Sequence, residues 1–274
     1  MEILTENINR SINRSIIGNI KKNRYDLVTR NILKVIDRLY ANIPDNKRIS
    51  YGIVHVLNTL TDYLHENLDD SFLFQSGAEI FGNGTEFKIR AVGLGLISCY
   101  GLIDYSSVKP FFRIAAADEY WDMRETAAHF FRRIIRKYPK EVKPFLIECV
   151  KADDPNIRRF ASETLRPVRI NQWIQTDPDY SLSILKHLFK EKAPYPRTSA
   201  GNNLSDLARR NPEIIYGIVD KLVKSGDKNS YWIAYRACRN LVKKEPQRVM
   251  DLLGIDEYKY KDRHFQRNEP TKTA

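Results

Sequence analysis

Residues 87–96 read FKIRAVGLGL, 121–130 WDMRETAAHF, 155–164 PNIRRFASET, 196–205 PRTSAGNNLS and 232–241 WIAYRACRNL. Each stretch carries an arginine near the start of an apolar-periodic run, with small residues three or four positions further on. The arginines are Arg90, Arg124, Arg158, Arg197 and Arg236, at spacings of 34, 34, 39 and 39 residues. A period of that length with two helical patterns per unit is the signature of stacked helix pairs. The spacing therefore predicts an all-α chain, a right-handed α-solenoid of HEAT-like repeats. The second helices of the pairs are expected to line its concave side.

Working outward, the regular array is expected over 85–255, with helices near 86–101, 107–117, 121–137, 140–151, 155–166, 178–190, 196–210, 212–225 and 229–244. Pro139 and Pro212 follow helix ends, Asp154-Pro155 offers an N-cap with proline at N1, and Pro167 stops its helix. Upstream, Ile8, Ile12, Ile16 and Ile20 recur at i+4 and mark an amphipathic helix that covers the array's first face. Residues 26–42 and 50–68 read as a helix pair. Gln75-Ser76-Gly77 and Gly82-Asn83-Gly84 read as loop chemistry. The expected organisation is one repeat domain over 1–255, with capping helices in 1–84, and a basic tail over 256–274 that frays after Phe265.

Composition narrows the partners. The chain has 274 residues, 45 Lys and Arg against 34 Asp and Glu, a net charge of +11 and a pI near 9.4. That balance favours a polyanion, DNA or RNA first and an anionic membrane surface second. Cys99, Cys149 and Cys238 are odd in number and far apart, so buried free thiols in a reducing compartment are expected. Charges interrupt every apolar run, which argues against a signal peptide or a membrane span. A cytoplasmic location follows as the expectation, and the scattered histidines argue against a His-based metal site.

On the helix starting at Trp121, Ala127, Ala128, Phe131, Ile134 and Ile135 form the apolar arc. Glu125, Arg132 and Arg136 share the opposite flank, with His129 beside them. Trp121 lies one turn before Glu125, so indole and carboxylate can face one space. Taken alone, that face fits an interface tryptophan beside a solvated Glu–Arg stripe better than a site. Similar stripes follow: Arg159, Glu163 and Arg166; Asn203, Asp206 and Arg210; Trp232, Arg236, Arg239 and Lys243. Arginines on four successive second helices would form a basic groove suited to a phosphate backbone. Trp121 and Trp232 could stack on a sugar, a base or a cationic ligand. No P-loop, G-x-G-x-x-G, H-E-x-x-H or G-x-S-x-G pattern occurs.

Four stretches carry a family resemblance. They are Tyr120-Trp121-Asp122-Met123-Arg124-Glu125, Asp154 to Glu163 with Arg166-Pro167, Ser199 to Asp206, and Trp232-Ile233 leading to Arg239–Lys244. Over roughly residues 85–255 the chain resembles the AlkC/AlkD superfamily of HEAT-like-repeat DNA alkylation repair glycosylases, and is closer to the AlkC branch. The resemblance implies hydrolysis of the N-glycosidic bond of cationic alkylated purines such as 3-methyladenine, in double-stranded DNA, without a cofactor and by a monomer. It puts Glu125 at the catalytic acidic position after the tryptophan and Asp206 at a second functional carboxylate. Trp121 and Trp232 match aromatic positions near the lesion. Glutamate rather than aspartate after the tryptophan sets the chain apart from AlkD-type members. The alternative is a non-catalytic HEAT module that binds DNA, RNA or a protein through its basic face.

Overall fold

The four N-terminal isoleucines are all buried, so the i+4 stripe does face inward. The computed structural model describes residues 3–267, and the chain divides after Lys137 into two compact units. The first begins with α1 (Glu6–Ile12), a π-helical turn (Asn13–Ile17) and α2 (Gly18–Ile20). Next come α3 (Tyr25–Ala41), α4 (Arg48–Asn67), α5 (Asp70–Asn83), α6 (Phe87–Tyr100), α7 (Tyr105–Ala116) and α8 (Trp121–Lys137). Helix α6 packs between α4 and α8, with α5 and α7 as outer partners.

Helix α5 corrects the expectation of a break at Gln75-Ser76-Gly77. Ser76 and Gly77 are buried inside it. A Cβ on Gly77 would lie 2.9 Å from the Ile97 side chain, and one on Gly93 would lie 2.4 Å from the Phe81 amide. The small residues let α5 and α6 approach backbone to backbone. Glycine served packing there, not turn formation.

The second unit holds α9 (Pro139–Val150), α10 (Pro155–Thr164), a 3-10 segment (Arg169–Gln175), α11 (Pro178–Leu185) and α12 (Pro194–Leu207). It continues with α13 (Pro212–Lys224), α14 (Lys228–Ala237) and α15 (Pro246–Leu253). Proline opens six of these helices, where its missing N–H costs no hydrogen bond and its fixed φ suits the first turn. Asp154 and Asp227 cap α10 and α14 by accepting from the amides of Asn156 and of Asn229 and Ser230. The second helices again lie side by side, α12 between α10 and α14. The Asn203 amide donates to the Ser162 carbonyl at 2.8 Å, and that of Asn240 to the Ser205 carbonyl at 2.8 Å.

The expected tail is partly ordered. Strands β1 (Glu257–Tyr260) and β2 (Arg263–Gln266) form an antiparallel hairpin. Tyr258 is fully buried, stacks on Tyr235 with centroids 4.3 Å apart, and donates to the Tyr235 carbonyl at 2.8 Å. That anchor holds the hairpin against α14. Residues 268–274 of the expected tail lie outside the described residues.

The fold is all-α apart from this hairpin, and no described helix is long and apolar enough to cross a membrane. Cys99, Cys149 and Cys238 are buried free thiols. Burial pushes the Cys99 thiol up to about 11 and the Cys238 thiol up to about 12, which keeps both protonated and unreactive.

Candidate active site and nucleic-acid interface

The arginines that mark the period are structural ties. Arg124 donates to the carbonyls of Asp118 and Glu119 at 2.6 and 2.8 Å, and Arg158 to those of Ala152 and Asp153 at 2.8 and 2.7 Å. Both thus stitch the loop five and six residues upstream to their own helix. Arg90 pairs with Asp118, and Arg158 reaches Glu191 through two nitrogens at 2.7 and 2.9 Å. These bonds link one helix pair to the next, which explains why the residue recurs once per repeat.

Helix α8 carries Trp121 and Glu125. Trp121 is 56% exposed, and Glu125, one turn later, is half-buried. The expected apolar arc of Ala127, Ala128, Phe131, Ile134 and Ile135 is buried throughout. The opposite flank is not uniform, however. Arg136 is exposed, but Arg132 is only 8% exposed and so is no open contact for a ligand. His129 is bonded to Asn58 at 3.0 Å, and Arg133 reaches Asn58 and Asp62 at 2.8 and 2.6 Å. Burial first, then the charges of Arg132 and Arg133, lower the His129 imidazole to about 4.

In the second unit, Asp206 and Glu163 stand in one buried ionic cluster. The Arg166 Nε and Nη2 both donate to one Asp206 carboxylate oxygen, at 2.9 and 2.6 Å, and Arg209 faces the other at 3.5 Å. Glu163 lies 3.5 Å from Arg159 and 3.4 Å from Arg166, and accepts from the Ser199 hydroxyl at 2.7 Å. Burial acts to lower the Arg166 guanidinium, but Glu163 and Asp206 outweigh it and raise it. Arg159 is buried with its guanidinium 4.2 Å from the Tyr195 ring centroid, whereas Arg210 is exposed. The stripe therefore splits: Arg159 and Arg166 serve carboxylates of the chain, and Arg210 faces solvent. The sequence places Glu163 in a stripe and at the end of a family-like stretch without assigning it a role, although its i+4 and i+3 relations to Arg159 and Arg166 signal the cluster.

Trp232 sits between two of the chain's own cations, with Arg197 4.8 Å and Arg236 5.4 Å from its ring centroid. Arg197 also donates to Asn229 at 2.6 Å, and Arg236 to Asn202 at 2.8 Å. The ring that was expected to stack on a ligand thus already engages guanidinium groups. Arg239 donates to the Tyr260 hydroxyl of the hairpin at 2.8 Å, and Lys243 is exposed beyond it. Nothing in the sequence pattern pointed to Tyr260, because its partner lies 21 residues away across the hairpin anchor.

No protein-family model matches the chain. Over 107 residues it is 31% identical to the uncharacterized protein YhaZ of Bacillus subtilis (strain 168), a match covering 37% of this chain and 29% of that protein. The chain thus spans under a third of that relative's length. Among solved structures, it is similar to AlkD2 from Streptococcus mutans with a TM-score of 0.61, and to smu.31 from Streptococcus mutans UA159 with 0.60. Each is 20% identical and covers 76% of this chain and 98% of its own. The Pseudomonas fluorescens alkylpurine DNA glycosylase AlkC, bound to DNA containing an abasic site analog, is similar with a TM-score of 0.55 and 20% identity. That match covers 92% of this chain and 66% of AlkC. The fold is that of the AlkC/AlkD helical-repeat proteins.

Proposed function

We propose that this protein is a monofunctional DNA glycosylase that hydrolyses the N-glycosidic bond of cationic alkylated purines in double-stranded DNA. The observation that carries the reading is the start of α8, where an exposed indole precedes a half-buried carboxylate by one turn. Its fold is shared with an AlkC solved on DNA.

The chemistry asks little of the protein. A purine alkylated at N3 or N7 departs as a neutral base when its bond to C1′ breaks, so no strong general acid is needed. The sugar passes through an oxocarbenium-like state, which the Glu125 carboxylate would stabilise electrostatically. The same carboxylate would orient a water, whose oxygen bonds to C1′ while its proton passes to Glu125 or to solvent. The Trp121 ring would favour the cationic base over its neutral parent. Exposed cations such as Arg136, Arg210 and Lys243 would hold phosphates.

The second reading, a non-catalytic binding module, draws on Asp206. Both of its carboxylate oxygens already face arginines of the chain, a geometry suited to scaffolding. One experiment separates the two: release of methylated bases from alkylated duplex DNA by wild type and by Glu125→Gln. Excision by wild type that collapses in the variant supports the glycosylase. No excision of any cationic purine by wild type leaves the binding module.

A further inference from the structure

The hairpin of β1 and β2 presents two unlike faces. Its strands alternate faces. On one face Glu257 bonds Lys259 at 2.7 Å and His264 at 2.8 Å, so the charges there are met within the hairpin. The other face turns Tyr258 onto Tyr235 and Tyr260 onto Arg239. Between the hairpin tip and the turns after α12 and α14 lies a cleft of about 340 Å³. Arg209, Arg239, Lys243, Lys261 and Arg263 line it, against the one carboxylate of Asp262.

Three features show how concentrated this charge is. Burial, then Arg263, Arg209 and Arg239, lower the Lys243 ammonium. Burial acts to raise the Tyr260 hydroxyl, yet the Arg239 hydrogen bond and nearby cations outweigh it and lower it. Lys261 holds a left-handed backbone, φ +54, where glycine or asparagine is the cheaper choice. A lysine at that turn brings a cation to the rim that neither would supply.

We propose that this cleft is a phosphate clamp for duplex DNA, in which the hairpin tip and the turns after α12 and α14 grip the backbone independently of base sequence and of any lesion. The proposal rests on the DNA-binding part of the function above. Its test reads binding to undamaged duplex, so it can succeed even if no base is excised. Affinity of the full chain for an undamaged duplex is measured against salt for wild type, Arg263→Gln and Lys259→Gln, the last removing one charge from the self-paired face. Each lost phosphate contact should flatten the slope of log K against log salt by about 0.9. Arg263→Gln should show that change and Lys259→Gln should not. Should Arg263→Gln melt early, Lys261→Gln provides the same comparison. Equal slopes for the cleft variant and Lys259→Gln would overturn the clamp. So would inorganic phosphate binding that depends on Arg263 while duplex binding does not, since the cleft would then serve a small free anion.

Discussion

Two regions hold the acidic residues that the sequence singled out, and they treat them differently. At the start of α8, Glu125 is half-buried beside an exposed tryptophan. Between α10 and α12, Asp206 and Glu163 are buried, with guanidinium groups and a serine hydroxyl arranged around them. The first arrangement leaves an aromatic face exposed and its carboxylate only half-buried. The second buries its carboxylates among guanidinium groups. A carboxylate in the second setting contributes to the fold, and its removal strands a buried cation.

The largest expected effect tests that commitment. Glu163→Ala leaves Arg159 and Arg166 without the carboxylate between them and the Ser199 hydroxyl with the longer bond to the Ser162 hydroxyl in place of the carboxylate. Breaking such a buried pair costs about 3–5 kcal/mol, read from denaturant unfolding. A loss below about 1 kcal/mol, the range of exposed pairs, would mean that the cluster is solvated and the contrast is false.

Next comes Glu125→Gln. The apolar arc of α8 is untouched, so the thermal melt should stay where it is. Single-turnover excision should fall roughly 100- to 1000-fold, or about 2.7–4 kcal/mol in the transition state. Asp206→Asn sharpens the comparison, because it should lower the melt and the rate together. Unchanged excision by a well-folded Glu125→Gln protein would remove Glu125 from the mechanism.

How much of this was legible in the sequence depends on how local each feature is. Helices opened by proline or an aspartate cap, such as α9, α10 and α13, were readable because the signal lies within a few residues of the boundary. Helix α5 was not, because Ser76 and Gly77 have the composition of a turn and acquire their meaning only from Gly93 on α6. The hairpin escaped for a similar reason. Its strands are four residues long and rich in charge, and the stacking partner of Tyr258 lies 23 residues upstream. The candidate site residues were named from spacing and resemblance. Which arginines face water could not be, since a helical wheel gives direction without saying what stands opposite.

His129 offers a pH test on the α8 side. Its folded-state value of about 4 lies below the ordinary 6.5. Between these values the unfolded chain binds the proton more tightly than the folded one, so stability rises with pH and is lost as pH falls from 6.5 towards 4. The full loss is roughly 3 kcal/mol at 1.36 kcal/mol per unit. His129→Gln can still hydrogen-bond Asn58 but has no proton to gain, so its unfolding free energy should be flatter across that window. Equal acid sensitivity of the two proteins would show that the imidazole is protonated without penalty.

The smallest effect is the most diagnostic of the surface. Arg136 and Arg210 are exposed, whereas Arg132 and Arg159 are buried, although all four were expected to line one groove. Under the proposed function, an exposed arginine meets a phosphate without contributing much to the fold. Arg210→Gln should therefore flatten the salt dependence of duplex binding by about 0.9 unit per lost contact, and shift stability by no more than about 0.5 kcal/mol. Arg159→Gln should do the reverse. Its guanidinium lies over Tyr195 and beside Glu163, so the melt should drop while the slope stays. Paired salt titrations and melts on the two variants decide the matter. If Arg159→Gln changes the slope at constant stability, the buried cluster opens onto DNA, and the division drawn between the two regions fails at that residue.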